Sequence, residues 1–191
     1  MKAGMLLLVF ALLAGCTKVP LGSLWSLRQF DFETVDPATL RVAVYLPSTY
    51  DLDRDALRIE AKIRRAADAA EQVEHFSMRP SSDRVDRVGL PSAPQAEGRW
   101  IVLRFDAAEA KRVRALRERL QAMKGQAPQG GSLAIGASPR LCHTGGVPQG
   151  TPRVSAALSW SGERGWVMLL VGADLEALRG SMSEQPDLPR C

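Results

Sequence analysis

From Leu40 to Leu46, the apolar residues Leu40, Val42, Val44 and Leu46 alternate with Arg41, Ala43 and Tyr45. A period of two puts the first set on one face, so this stretch predicts a half-buried strand, stopped by Pro47. Residues 56–79 fit two templates. Leu57, Ile59, Ala61 and Ile63 alternate with charged neighbours, but Ala56, Ile59, Ile63, Ala66, Ala70 and Val73 also fit a helix. The hairpin is preferred, because a helix burying Ile59 and Ile63 leaves Leu57 on its far side. Ala66–Glu71 is then the connection and Val73–Met78 the return strand.

Residues 80–98 carry Pro80, Pro91, Pro94 and several serines, and read as an irregular loop. Trp100–Phe105 reads as a strand. Asp106 and Glu109 have the spacing of a capping box, and Val113, Leu116, Leu120 and Met123 make one helical face. An amphipathic helix is expected near residues 107–123, ended by Gly125. Ser132–Ala137 and Arg153–Trp160 read as strands, with a Gly/Pro-rich loop between them. Ser161–Gly165 is a hairpin loop. Trp166–Val171 is apolar throughout and suggests a central strand covered on both faces. The elements sum to a mainly β fold (or α+β): an antiparallel, sandwich-like domain with one helix.

The N-terminus follows a different pattern. Lys2 precedes an apolar run, Met5–Ala14, too short to span a bilayer as a helix and without a polar face. This is a secretory leader layout. Leu13-Ala14-Gly15-Cys16 resembles the lipobox of bacterial lipoproteins. The resemblance implies a signal peptide over residues 1–15, a diacylglycerol on the Cys16 sulfur and often acylation of the new amine. Two or more acyl chains anchor stably where one is marginal. Thr17, rather than aspartate, follows the cysteine, which by the same resemblance favours the outer over the inner membrane. Residues 36–47 are loosely similar to a stretch of uncharacterised proteobacterial lipoproteins, with no activity implied.

Residues 16–38 form the lipidated N-terminus and a tether, 39–178 a single globular domain and 179–191 a tail. In the tether, Phe30 and Phe32 alternate with Gln29, Asp31 and Glu33, which favours packing onto the domain as strand or coil over a membrane-interface segment. The 191 residues, 46% hydrophobic and 24% charged, suit one folded domain and exclude disorder along the whole chain. Without residues 1–15 the basic residues drop from 25 to 24 against 21 acidic ones, leaving a charge of +3. In a periplasmic address the counter-charges to hand are anionic lipids rather than nucleic acid, so no nucleic-acid partner is expected.

Few residue sets suggest chemistry. Asp51, Asp53 and Asp55 have the spacing that opens a calcium loop, but Ala56 and Lys62 stand where glycine and glutamate are needed. A solvated turn is expected there, and no metal or cofactor. Cys142 and His143 are adjacent, so they point to opposite faces and suggest no dyad. With Cys16 lipidated, Cys142 and Cys191 remain as an even pair in an oxidising compartment, and a disulfide between them is expected. The helix holds a basic face, on which Lys111, Arg112, Arg114 and Arg119 could meet an anionic surface, although a solvated face is the simpler reading. Trp160 and Trp166 flank the hairpin loop as a cross-strand pair.

These features together suggest a non-catalytic, membrane-anchored envelope lipoprotein facing the periplasm. It would act as a binding or scaffold domain for an envelope protein or an anionic lipid. The alternative is lipid or lipopolysaccharide handling through an apolar groove, with a hydrolase behind both. A deep apolar cavity is what separates the second reading from the first.

Overall fold

The computed structural model describes residues 27–28, 30–65, 71–95, 97–126, 131–145, 151–161, 165–175, 177 and 188–191. Residues 1–15, the signal peptide expected from the sequence, and Cys16 lie outside them. Strands β1 (Arg41–Leu46), β2 (Tyr50–Arg65), β3 (Glu71–Pro80), β4 (Arg99–Arg104), β5 (Gly131–His143), β6 (Arg153–Ser159) and β7 (Val167–Asp174) form a seven-stranded sheet. Its order is β5-β2-β3-β4-β1-β6-β7, and all neighbours are antiparallel. Helix α1 spans Ala107–Gln126.

Residues 56–79 form a hairpin, with Leu57 opposite Met78 and Arg64 opposite Glu71. Its connection, Ala66–Ala70, lies outside the described residues. Leu57, Ala61 and Ile63 are buried and Ile59 is half-buried, while Arg58, Lys62 and Arg64 are exposed. A helix would have split this apolar set, and the strand buries it on one face.

The sheet divides into two halves that face each other in a sandwich-like way. Strands β2, β3 and β5 make one half, and β4, β1, β6 and β7 the other. Among the described residues they join where Arg79 and Pro80 pair with Arg104 and Leu103, continued by the Ser81 amide donating to the Val102 carbonyl at 2.8 Å. Core residues come from both halves, among them Leu46, Leu57, Phe76, Leu103, Leu141 and Val154. On β2, the four residues Asp53–Ala56 stand opposite Arg140 alone, a bulge that bends the strand. The acidic run is therefore part of a strand, not the turn expected from its polarity.

Helix α1 packs by Ala110, Val113 and Leu116, with Leu120 and Met123 half-buried against the same core. Asp106 accepts from the Glu109 amide at 2.8 Å, as an N-cap does. The reciprocal half of the capping box does not form. The Glu109 carboxylate reaches β3 instead, accepting from the Ser77 amide at 3.1 Å. Arg112 donates to the His75 carbonyl at 3.0 Å. The helix thus supplies hydrogen bonds to β3 just before its two-residue ladder with β4, and the backbone groups there are satisfied without another strand.

The opposite face of β1, β4 and β6 is also covered. Ala43, Val102 and Ala157 are buried there beneath Leu90, Trp100, Trp166 and Met168. The loop after β3, with a short 3-10 turn at Val85–Arg87, supplies Leu90 to this cover, while Trp100 comes from β4, Met168 from β7 and Trp166 from the residue just before β7. Tyr45 donates to the Gln95 carbonyl at 2.7 Å and Trp166 to the Val88 carbonyl at 3.0 Å. Gly98 closes the loop at φ +154°, where an added Cβ would stand 2.5 Å from the Leu46 carbonyl oxygen. Trp166 therefore packs outward, whereas Trp160 is buried with Phe30 at a ring separation of 5.5 Å. They do not form the pair expected across the hairpin.

Two strands differ from their sequence reading. Trp166–Val171 is not central: β7 is an edge strand with Val171 exposed. Strand β5 runs past Ala137 to His143, through Pro139. It is the other edge of the sheet, where a missing N–H can be tolerated. Residues 30–40 pack as turns rather than a strand, with Phe32 and Leu40 against the core.

Candidate functional site

Between the two halves lies a partly open cavity of about 500 Å³. Volumes of this order are those of small-molecule sites, which are mostly apolar with a few placed polar groups. Val42, Val44 and Leu46 line it from β1, Leu57 and Ile59 from β2, and Phe76 and Met78 from β3. Both edge strands reach it, β5 through Ile135 and Leu141, β7 through Leu169 and Leu170. Ile135 is 49% exposed, so the lining continues to the surface at the β5 edge. The apolar run of β7 follows from this position: Leu169 and Leu170 face the cavity, while Met168 joins the outer cluster.

Among the described residues, two polar side chains line the cavity, Ser155 and Arg117. The Ser155 hydroxyl is buried and accepts from the Gly172 amide at 2.9 Å, which pins the bulged β6–β7 pairing. Arg117 is different. Its guanidinium carbon lies 4.8 Å from the centre of the Phe32 ring, a cation–π contact. Its Nε is buried with no hydrogen-bond partner among the described residues. Burial lowers the Arg117 pKa, and the nearby carboxylates of Asp36 and Asp31 oppose that shift through space.

Those two acids are engaged elsewhere. Asp36 accepts from the Ala38 amide at 3.0 Å and from Arg114 at 2.9 Å. Both bonds hold its carboxyl below the usual carboxylate range, the Ala38 bond more strongly. Asp31 accepts from the Glu33 amide at 2.8 Å and the Thr34 hydroxyl at 3.2 Å.

The basic residues singled out on the helix do not gather into one anion site. Arg112 pairs with Glu109 at 2.7 Å, Arg114 with Asp36 at 2.9 Å and Arg119 with Glu74 at 2.6 Å. Lys111 is exposed. Asp51, Asp53 and Asp55 diverge toward Arg99, Arg140 and Arg79 respectively. Cys142 is bonded to Cys191, with Cα atoms 5.1 Å apart, so it offers no thiolate to His143. The bridge fixes the C-terminus: Arg190 makes a parallel bridge with His143, and Leu188 packs against the core.

A second polar cluster lies at the junction of the halves. Asp86 is buried and accepts from Arg41 at 2.6 Å, Ser81 at 2.5 Å and Arg104 at 3.4 Å. Burial raises its pKa, and the Ser81 and Arg41 hydrogen bonds with the charges of Arg41 and Arg104 more than offset this, so the net shift is downward. The cluster is saturated internally and fastens the outer loop to β1 and β4.

Sequence reasoning passed over Arg117 as one of six basic helix residues. The signal was its position. It stands four residues after Val113 and three before Leu120, inside the apolar stripe. Among the described residues no helix is long and apolar enough to cross a membrane. Comparison with known proteins finds no matching family model, no matching curated protein and no matching solved structure.

Proposed function

We propose that this protein is a lipid-anchored envelope protein whose β domain takes up the hydrocarbon chain of a lipid. The cavity of about 500 Å³ carries this reading, because its lining is almost wholly apolar and it opens at a sheet edge. Liquid water occupies about 30 Å³ per molecule, and a methylene is of similar size. The cavity therefore holds on the order of fifteen methylenes, the content of one acyl chain. Each methylene moved from water contributes about 0.8 kcal/mol, so a single chain supplies ample affinity. This favours lipid handling over a scaffold that binds by its outer surface.

The cellular setting rests on the N-terminal residues. The Leu13–Cys16 lipobox supports anchoring through Cys16, facing the periplasm, with the outer membrane favoured by Thr17. The Cys142–Cys191 bridge suits an oxidising compartment of that kind. The reading is tested with the full-length chain carrying Cys16→Ser, which keeps every described residue and cannot take the anchor. The uncharged fluorophore N-phenyl-1-naphthylamine should brighten in its cavity and be displaced by 1-hexadecanol. Ala156→Trp, which puts an indole into the cavity, should abolish this while the fold persists. Equal probe binding in both chains would overturn the reading.

A further inference from the structure

We infer that the ligand is a single-chain amphiphile ending in a carboxylate, with the chain in the cavity and the headgroup on Arg117; this rests on the acyl-chain reading above. Three observations lead there. Arg117 is the one charged residue lining the cavity among those described. Its Nε is buried without a partner among the described residues, although hydrogen bonding to a buried donor is the rule. Its guanidinium is held in place by the Phe32 ring rather than by an acid.

Arg117 is half-buried, and its Nε is shut off from water without a hydrogen-bonded acceptor among the described residues, so the natural complement is an anion arriving with the ligand. The flanking acids do not fill that role: Asp36 is bonded to Arg114, and Asp31 caps its own turn. Guanidinium matches a carboxylate in plane and in charge, with two parallel N–H donors for two oxygens. A phosphate monoester carries close to two charges at neutral pH and would call for a second cation. The nearest candidate, Arg114, is committed to Asp36. A carboxylate, with its single charge, is therefore the better fit. An aliphatic tail behind it would lie against Val113 and Leu116, four and one residues before Arg117, which line the cavity from the same helix.

The experiment is competition against N-phenyl-1-naphthylamine in the full-length Cys16→Ser chain, with three ligands of equal chain length: palmitate, 1-hexadecanol and hexadecylamine. Palmitate should compete about tenfold better than the alcohol, the scale of one charge-assisted hydrogen bond. Hexadecylamine, cationic at neutral pH, should be the weakest. Arg117→Met should bring palmitate down to the alcohol and leave the alcohol unchanged. Should Arg117→Met weaken both equally, Arg117 is structural and the carboxylate assignment is overturned, while the acyl-chain reading stands. Hexadecylamine competing as well as palmitate would overturn the assignment from the parent chain alone, whether or not the variant folds. Displacement by none of the three sinks the acyl-chain reading and the assignment together. Probe binding that appears only after Leu24→Ser and Trp25→Ser would mean that the chain's own N-terminal segment fills the cavity, and that also overturns both.

Discussion

The Glu109 carboxylate accepts a hydrogen bond of 3.1 Å from the backbone amide of Ser77, joining helix to strand where the two halves of the sheet separate. A capping residue would have turned back to its own helix. Here the carboxylate satisfies a strand amide and also holds Arg112 at 2.7 Å. Glu109→Ala should destabilise the fold by about 2 kcal/mol, the range of hydrogen bonds to charged groups. Lys111→Ala, on the exposed side, should stay within about 0.5 kcal/mol of the parent. Urea unfolding of both variants checks the pair. Equal midpoints would mean that the helix does not depend on this joint.

The C-terminus is held by covalent and main-chain bonds together. The His143 amide donates to the Pro189 carbonyl at 2.9 Å, and the Cys191 amide to the His143 carbonyl at 3.0 Å, beside the disulfide. Cys191→Ser should cost about 2–4 kcal/mol, the common range for a disulfide closing a long loop. Thiol titration of the denatured, unreduced Cys16→Ser chain should find none. Two titratable thiols per monomer would contradict the bridge.

Stability should fall at acid pH in part through Asp86. Its folded pKa lies below the unfolded value of about 3.9, so ionised Asp86 favours the folded state above that value. The contribution is complete above about pH 5 and fades as pH drops through 3.9 toward the folded pKa. Asp86→Asn should lower stability near neutral pH by about 3 kcal/mol, because Arg41 loses its charged partner. The loss should shrink as pH falls toward 3. Melting curves from pH 3 to 7 test this, and a constant difference across the range would contradict it.

Anchoring is tested apart from the cavity. Metabolic palmitate labelling of the parent chain and of Cys16→Ala should mark the parent alone. Equal labelling in both would place the lipid elsewhere or remove it from the account.

The period-two pattern made the β2–β3 hairpin legible, because one face of it is buried and every second residue shows it. Strand β1 was legible as a strand but not as a half-buried one, since Ala43 and Tyr45 on its expected open face are also buried. Helix α1 was legible for the matching reason at period 3.6. The Cys142–Cys191 pair followed from parity and compartment. The position of β7 was not legible. An apolar run reads the same whether a strand is central or lies at an edge with Leu169 and Leu170 against a cavity and Met168 in the outer cluster. The extension of β5 through Pro139 was hidden because proline argues against a strand unless the strand is known to be an edge. The cavity could not be read at all, since it depends on how far apart the two halves stand. Arg117 could have been noticed within the stripe of Val113, Leu116 and Leu120, but a guanidinium on a buried face gains meaning only once the space beside it is seen.

The central claim is that the space between the sheet halves holds one lipid chain. Native mass spectrometry of the full-length Cys16→Ser chain, purified without detergent, tests it most directly. The account predicts a population heavier than the bare chain by the mass of one acyl lipid, lost in Ala156→Trp. A spectrum showing only the bare mass, or the same adduct in both chains, would contradict it.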